Sequence, residues 1–437
     1  MRKVAVIALG CPKNTVEAEY LLGILENKGY ILTNNTLEAD IVIIHTCSFI
    51  KDARIESENR IKEILELKSE KDLKVYVSGC LPQLLKEEFA NSFPGVDGFT
   101  GTGELSRITR LMARKNKTGK LLLKPGGLND SKFRLLSSPL PFAYLKIAEG
   151  CNHNCSFCII PSLRGKYVSR TVSSLADEAK ALSDSGVKEL IIIAQDTTSY
   201  GKDLYNRFVL DKLLAKLAKI EELKIIRLMY AYPSSVTDGL LDVIKEYDNI
   251  CKYMDIPIQH ASKNVLANMK RPLNTVKIIE KINKRVPDIV LRTSLITGFP
   301  GETERDIKEL ERFIKQGYFQ YAGVFEYSGQ KEAPSFKLKN RVDLEKAKER
   351  KIFIENAQYE VFKKKAGVLK NKKIEFMAES CKKSGGRYIV SGRSFFQAPE
   401  IDGNIIIRSK KPVNLGGFYS AEITGNEGYD VTAKFKV

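Results

Sequence analysis

Short apolar runs of strand length alternate with stretches of helical period along the first part of the chain. Val4–Leu9, Ile41–Ile44 and Val75–Val77 are continuous apolar runs, while Thr15–Asn27 and Glu56–Leu67 bring apolar residues round every three or four positions. Strands buried on both faces and separated by helices are what a parallel sheet requires, because each crossover helix covers a face. Residues 1–115 therefore read as a small parallel α/β domain. Residues 116–138, punctuated by Gly119, Pro125, Gly126 and Gly127, read as a linker around one short strand. From 139 to 368 six further runs follow, at Ala143–Ile147, Leu190–Ala194, Ile225–Tyr230, Tyr253–Pro257, Ile289–Ile296 and Tyr321–Tyr327, separated by helix-sized segments. Six such units predict a partial (β/α)6 barrel rather than a closed eightfold one. A charged helix over Asp343–Gly367 closes that region. In residues 369–437 the pattern changes to β-type runs with Gly turns, Tyr388–Val390, Ile405–Ile407 and Tyr419–Ile423, as in a small all-β barrel.

Composition adds three constraints. A length of 437 residues with 43% hydrophobic and 28% charged residues suits about three globular domains with substantial cores. No apolar run is long enough to span a membrane, and Met1–Gly10 reads as a buried strand rather than a signal peptide. Eight cysteines without a secretion signal point to a reducing compartment, where thiols serve metals or redox chemistry; the expected location is the cytoplasm. The net charge of +18 is spread along the chain, with local clusters such as Lys363-Lys364-Lys365. Solvated helix faces account for most of it, and a polyanionic partner such as RNA or a ribosomal particle is compatible with it.

The cysteines carry the chemistry. In Glu149-Gly150-Cys151-Asn152-His153-Asn154-Cys155-Ser156-Phe157-Cys158, three and then two residues separate the thiols. Structural zinc sites usually close with four ligands. A four-iron cluster takes one ligand per iron, so three thiolates leave one iron open to something that is not protein. A second set is scattered in sequence but regular in placement: Cys11, Cys47 and Cys80 each follow a predicted strand. In a parallel sheet all three fall at the carboxyl edge, where open α/β sheets build their sites. Gly10 and Gly79 precede two of them and allow close backbone approach. Three buried free thiols are the plainer alternative; the repeated placement favours a second three-cysteine cluster. His45 lies in a strand where hydrogen bonds can satisfy it, and His153 reads as loop. His260 is expected at the barrel mouth in a substrate-side position, and Cys251 and Cys381 read as inert thiols.

With two such triads the chain resembles the radical S-adenosylmethionine methylthiotransferases over essentially its whole length, with an amino-terminal cluster domain, a radical domain and a TRAM-type β domain. Four runs resemble the branch that modifies an aspartate of small-subunit ribosomal protein twelve: Leu9-Gly10-Cys11-Pro12-Lys13-Asn14, Ala194-Gln195-Asp196-Thr197-Thr198-Ser199-Tyr200-Gly201, Asp255-Ile256-Pro257-Ile258-Gln259-His260 and Ala398-Pro399-Glu400-Ile401-Asp402-Gly403. The branch that modifies the adenosine beside a tRNA anticodon generally differs there. The resemblance implies two 4Fe-4S clusters. One sits on Cys151, Cys155 and Cys158, to cleave S-adenosyl-L-methionine; the other, on Cys11, Cys47 and Cys80, carries the inserted sulfur. It also implies an electron donor protein and no general base. Phe157 and the run Gly298-Phe299-Pro300-Gly301-Glu302 resemble adenine-side contacts, Gln195 and Asp196 are expected to face the same mouth, and Arg292 to pair with the cofactor carboxylate. One departure tempers this reading. From Asn371 to Val437 eleven Lys and Arg face seven Asp and Glu, a net of +4 that suits RNA. A tRNA adenosine substrate is therefore the alternative, and a metal-stapled RNA-binding structural protein the rival class.

Overall fold

The computed structural model describes residues 2–103, 105–113, 119–121, 134–137 and 141–435. Its first sheet contains β1 (Lys3–Ala8), β2 (Ile31–Leu32), β3 (Ile41–Thr46), β4 (Lys74–Gly79), β5 (Gly98–Thr100) and β6 (Gly119–Leu121), all parallel in the order β2-β1-β3-β4-β5-β6. The fully apolar β3 shows why. Ile41 and Ile43 point to one face and pack with Val16, Tyr20 and Leu21 of α1 (Pro12–Asn27), whereas Val42 and Ile44 pack with Ile61 and Ile64 of α2 (Lys51–Glu70). Helices α3 (Cys80–Leu85), α4 (Glu88–Ser92) and α5 (Ser106–Met112) complete this unit. The strand expected inside the linker is β6, which pairs with β5 and belongs to this sheet. Pro125, Gly126 and Gly127 lie outside the described residues.

The second sheet has six parallel strands, β7 (Phe142–Lys146), β10 (Glu189–Ile193), β11 (Ile225–Leu228), β12 (Ile250–Asp255), β13 (Val290–Thr297) and β14 (Phe319–Glu326), ordered β14-β13-β12-β11-β10-β7. A short antiparallel pair, β8 (Ala148–Glu149) with β9 (Val168–Ser169), stands beside it. Leu190, Ile192 and Leu228 meet the apolar stripes of helices Val172–Asp184 and Leu210–Leu217. Residues of the opposite face, Ile191, Ile193, Met229 and Tyr253, join the first domain's Val16 and Tyr20 in a single apolar cluster. The edge strand β14 is covered by the long helix Leu344–Leu369, where Gln358 Nε2 donates to the carbonyls of Phe319 and Gln320. Among the described residues no helix is long and apolar enough to cross a membrane.

The carboxy-terminal strands β15 (Lys373–Ser384), β16 (Arg387–Arg393), β17 (Ile405–Ser409), β18 (Phe418–Glu427) and β19 (Asp430–Phe435) close into a barrel in the order β15-β16-β17-β19-β18, around Phe376, Val390, Ile407 and Ile423. Its residues 393–402 dock onto the second sheet through buried charges. Glu189 accepts from Arg227 Nε and from Arg393 Nη2, each at 2.6 Å, and Arg227 Nη1 donates to the Phe395 carbonyl at 2.6 Å. Tyr253 Oη donates to Asp402 Oδ2 at 2.7 Å. Burial alone would raise the Glu189 pKa, but Arg393 and Arg227 outweigh it and hold the carboxyl below its ordinary range. Glu189→Gln leaves the buried Arg227 without its anion and Arg393 with Glu379 alone, an expected loss of about 3 kcal/mol in denaturant unfolding at neutral pH. A depressed carboxyl contributes stability above its unfolded pKa, about 4.3, and loses it as the pH falls through the folded value. The difference between parent and variant should therefore narrow on acidification.

Candidate active site

The first cysteine triad is assembled by strand register. β1, β3 and β4 are neighbours, with Ala8 opposite His45 and Thr46 opposite Gly79, so the residues that follow them emerge side by side. Cys11 precedes α1, Cys47 follows β3, and Cys80 opens α3. Gly10 (φ +89°) abuts Cys47, and a Cβ there would lie 2.8 Å from Cys47 Sγ; at Gly79 (φ +100°) it would lie 2.6 Å from the Thr46 carbonyl oxygen. Both turns need glycine. Cys47 and Cys80 are buried, and the three thiols lie within electrostatic reach of one another. Burial pushes the Cys80 thiol up to about 12 and raises Cys47 as well. Metal loading must therefore displace protons.

The second triad sits on one loop between β8 and α6 (Ile160–Arg164). Cys151 N donates to the Gly165 carbonyl at 3.1 Å, pinning the loop to the end of α6. The amides of His153 and Ile160 point at Cys151 Sγ and Cys158 Sγ, each at 3.4 Å. Burial raises Cys151 to about 11 and Cys158 to about 12. Arg271 Nη1 lies 3.8 Å from Cys155 Sγ, with its guanidinium 4.1 Å from the centre of the Tyr232 ring. His153, expected as plain loop, is a fastening: its ring stacks on Tyr232 at 3.5 Å, and its Nε2 lies 2.6 Å from Asp196 Oδ2.

The donor sets fit iron–sulfur clusters. Each triad is all-thiol, the soft donor such clusters take, and each has a cation beside it, Arg164 at 3.4 Å from Cys80 Sγ and Arg271 near Cys155. Among the described residues no three His, Cys, Asp or Glu side chains draw together as they would around a single ion. Thiolates that each hold a different iron stand further apart than the ligands of one ion. His45 is not a ligand, because Ser78 Oγ at 2.9 Å and Glu17 Oε2 at 2.8 Å take its two ring nitrogens.

A buried charge network, which the sequence reading missed, lies between the triads. Lys146 Nζ donates to Glu17 Oε1 at 2.6 Å and to Glu149 Oε2 at 2.7 Å, and Arg164 Nη1 bonds the same two oxygens. Arg164 Nη2 donates to Asn14 Oδ1 at 2.6 Å, and Asn14 Nδ2 donates to the Leu9 and Thr46 carbonyls beside the first triad. Burial would raise Glu17, but Arg164 and Lys146 hold it well below the carboxylate range. The available signal was charge at apolar positions: Glu17 on the buried side of α1 and Lys146 within β7.

The cofactor-side candidates divide. Phe157 packs edge-on to Phe299 at 6.5 Å, near the second triad. Gln195 Nε2 donates to Glu149 Oε1 at 2.6 Å, and Asp196 is taken by His153, Thr198 and Ser199. Arg292 Nη1 donates to Asp255 Oδ1 at 2.9 Å and its Nε lies 3.4 Å from Asp402 Oδ1, while its Nη2 lies beside Gly323. Gly298 (φ +73°) faces Ala347, and Glu302 Oε1 accepts from Gly298 N at 2.9 Å and Arg350 Nη1 at 2.8 Å, so this run forms a strand-to-helix turn packed on the long helix. His260 is a correction. It is fully buried, with Nδ1 accepting from Ser262 N and Nε2 3.5 Å from Glu302, and presents no substrate face. Tyr230 was expected to end a strand, but β11 stops at Leu228 and Tyr230 adopts φ +58°. Lys13 Nζ lies 3.5 Å from the centre of its ring, so residues 230 and 232 touch the surroundings of both triads.

A parallel six-strand barrel with a three-cysteine loop above its carboxyl edge defines a radical S-adenosylmethionine enzyme. The comparisons with known proteins agree. Residues 145–314 match the Radical SAM superfamily, residues 3–101 the family described as Uncharacterized protein family UPF0004, and residues 372–435 the TRAM domain. The ribosomal protein uS12 methylthiotransferase RimO of Endomicrobium trichonymphae is 64% identical over 99% of this chain and 98% of that protein. The RimO of Citrifermentans bemidjiense is 43% identical over 98% and 97%. In fold the chain is similar to the radical S-adenosylmethionine methyltransferase TsrM from Kitasatospora setae, with a TM-score of 0.57, 15% identity, and 76% of this chain and 77% of that chain covered. The chain belongs to the RimO family of ribosomal protein uS12 methylthiotransferases. Gly10→Ala should displace Cys47 and, if each triad holds a cluster, remove about half of the iron taken up on anaerobic reconstitution, as read by iron assay and visible absorption.

Proposed function

We propose that this enzyme adds a methylthio group to the β carbon of an aspartate in ribosomal protein uS12, using S-adenosyl-L-methionine and two 4Fe-4S clusters held by Cys151, Cys155 and Cys158 and by Cys11, Cys47 and Cys80. The observation that carries the two-cluster part is the convergence of two all-thiol triads on one mouth, with Tyr230 beside the first and Tyr232 beside the second. The relatives' name carries the substrate. When bound, the clusters supply the electron that cleaves the cofactor to a carbon radical and an open iron site for the transferred sulfur.

The chain's own residues hold and orient. Arg271 and Arg164 place positive charge beside the thiolates, and the His153 and Ile160 amides donate to their sulfurs. Phe157 offers an apolar surface for the adenine, Gln195 and Asp196 brace the cluster loop from the strand end, Gly298 and Glu302 shape the turn beneath it, and Arg292 keeps Nη2 for a carboxylate. The basic β barrel suits contact with RNA on a ribosomal particle. The expected setting is the cytoplasm, with an electron donor protein as a further partner.

Two measurements test this reading. Replacing Cys151, Cys155 and Cys158 with Ala should remove about half the iron and abolish reductive cofactor cleavage, while replacing Cys11, Cys47 and Cys80 should halve the iron and leave cleavage in place. Zinc in the purified protein, without broad visible absorption, would move it to the metal-stapled RNA-binding class. In a strain deleted for this gene, mass spectrometry should find uS12 without its methylthio mass and tRNA nucleosides unchanged. The opposite pattern assigns the enzyme to tRNA.

A further inference from the structure

We propose that Lys13 binds the carboxylate of the aspartate that is modified; the inference rests on the aspartate reading above. Lys13 differs from the other cations near the first triad, and it resembles Arg271, which lies on the Tyr232 ring beside the second. Lys146 and Arg164 each hold Glu17 and Glu149, and Arg292 holds Asp255. Among the described residues no carboxylate lies within ion-pair distance of Lys13 Nζ, whose contact is the face of Tyr230 at 3.5 Å. Its electrostatic neighbours are Tyr230, Cys11, Arg164 and Glu149, and the one carboxylate among them, Glu149, is already shared by Lys146, Arg164 and Gln195. The aromatic face attracts the ammonium but accepts no hydrogen bond from it in the way a carboxylate does, and a bound carboxylate supplies that charge-assisted contact.

Position makes the anion specific. Lys13 stands two residues past Cys11, and Tyr230 lies in reach of Cys11, Asp255 and Arg292, so the ammonium forms the wall of the mouth nearest the first triad. The β carbon of an aspartate is bonded directly to its carboxylate. Fixing the carboxylate on Lys13 thus fixes the reacting carbon within one bond, next to the cluster proposed to deliver sulfur. Tyr230 is the positioning residue for Lys13. Its left-handed backbone is unusual for an aromatic residue and is held by a hydrogen bond from its own N–H to Asp255 Oδ2 at 3.2 Å.

The test is a binding measurement on the reconstituted full-length holoenzyme with cofactor present and oxygen excluded. The probes are uS12 and a uS12 variant with asparagine at the modified aspartate. The parent enzyme should prefer the aspartate form by roughly tenfold or more, as for a charge-assisted contact. Lys13→Met should lose most of that preference while taking up the same iron, and Lys13→Arg, which keeps the charge, should retain much of it. A Lys13→Met enzyme that discriminates as the parent does overturns the proposal, as does one that loses affinity for both forms equally. If Lys13→Met fails to take up iron, Lys13→Gln is read instead by the same criterion. A parent enzyme that leaves the aspartate of uS12 unmodified sinks the aspartate reading itself, a different failure from loss of the Lys13 effect.

Discussion

Glu17 and Arg164 form the contact on which the rest of the site depends. Both are buried, one on the first helix and the other just after the cysteine loop, and removing either would unbalance the charge of a buried four-residue network. Their pairing, doubled by Lys146 and Glu149, ties the first domain to the barrel at the point where the two cysteine sets approach. An apolar contact alone would allow sliding. Hydrogen-bonded ion pairs have direction, so they fix how the domains are turned toward each other as well as that they touch.

The same device recurs where the β barrel meets the sheet. Glu189 lies between Arg227 and Arg393, and Arg292 lies between Asp255 and Asp402. The carboxy-terminal domain is therefore held by residues that line the radical domain's own face. Its net charge of +4 includes Arg393 and Asp402, which cancel in that count, so the basic excess comes from the segment's other residues.

Much of the fold was legible because its signals are local. Apolar runs located every strand of the second sheet, and Cys11, Cys47 and Cys80 could be placed together because a parallel sheet puts all its strand ends on one edge. His45 was correctly read as a hydrogen-bonded strand residue. What escaped depends on distant partners. Nothing near Arg292 in sequence announces Asp402, nor does anything near His260 announce Glu302. The weak strand Gly119–Leu121 looked like linker because three residues carry too little pattern to show which sheet they join. Tyr230 was read into a strand because its neighbours are apolar, while its backbone turn is imposed by contacts from another strand.

Tyr230 and Tyr232 are separated by one alanine, yet one faces Lys13 beside Cys11 and the other faces Arg271 beside Cys155. Two residues of chain span at most about 7 Å. The backbone interval between the two tyrosines is thus set by covalent bonds, while the first neighbourhood reaches Tyr230 from another domain through Lys13.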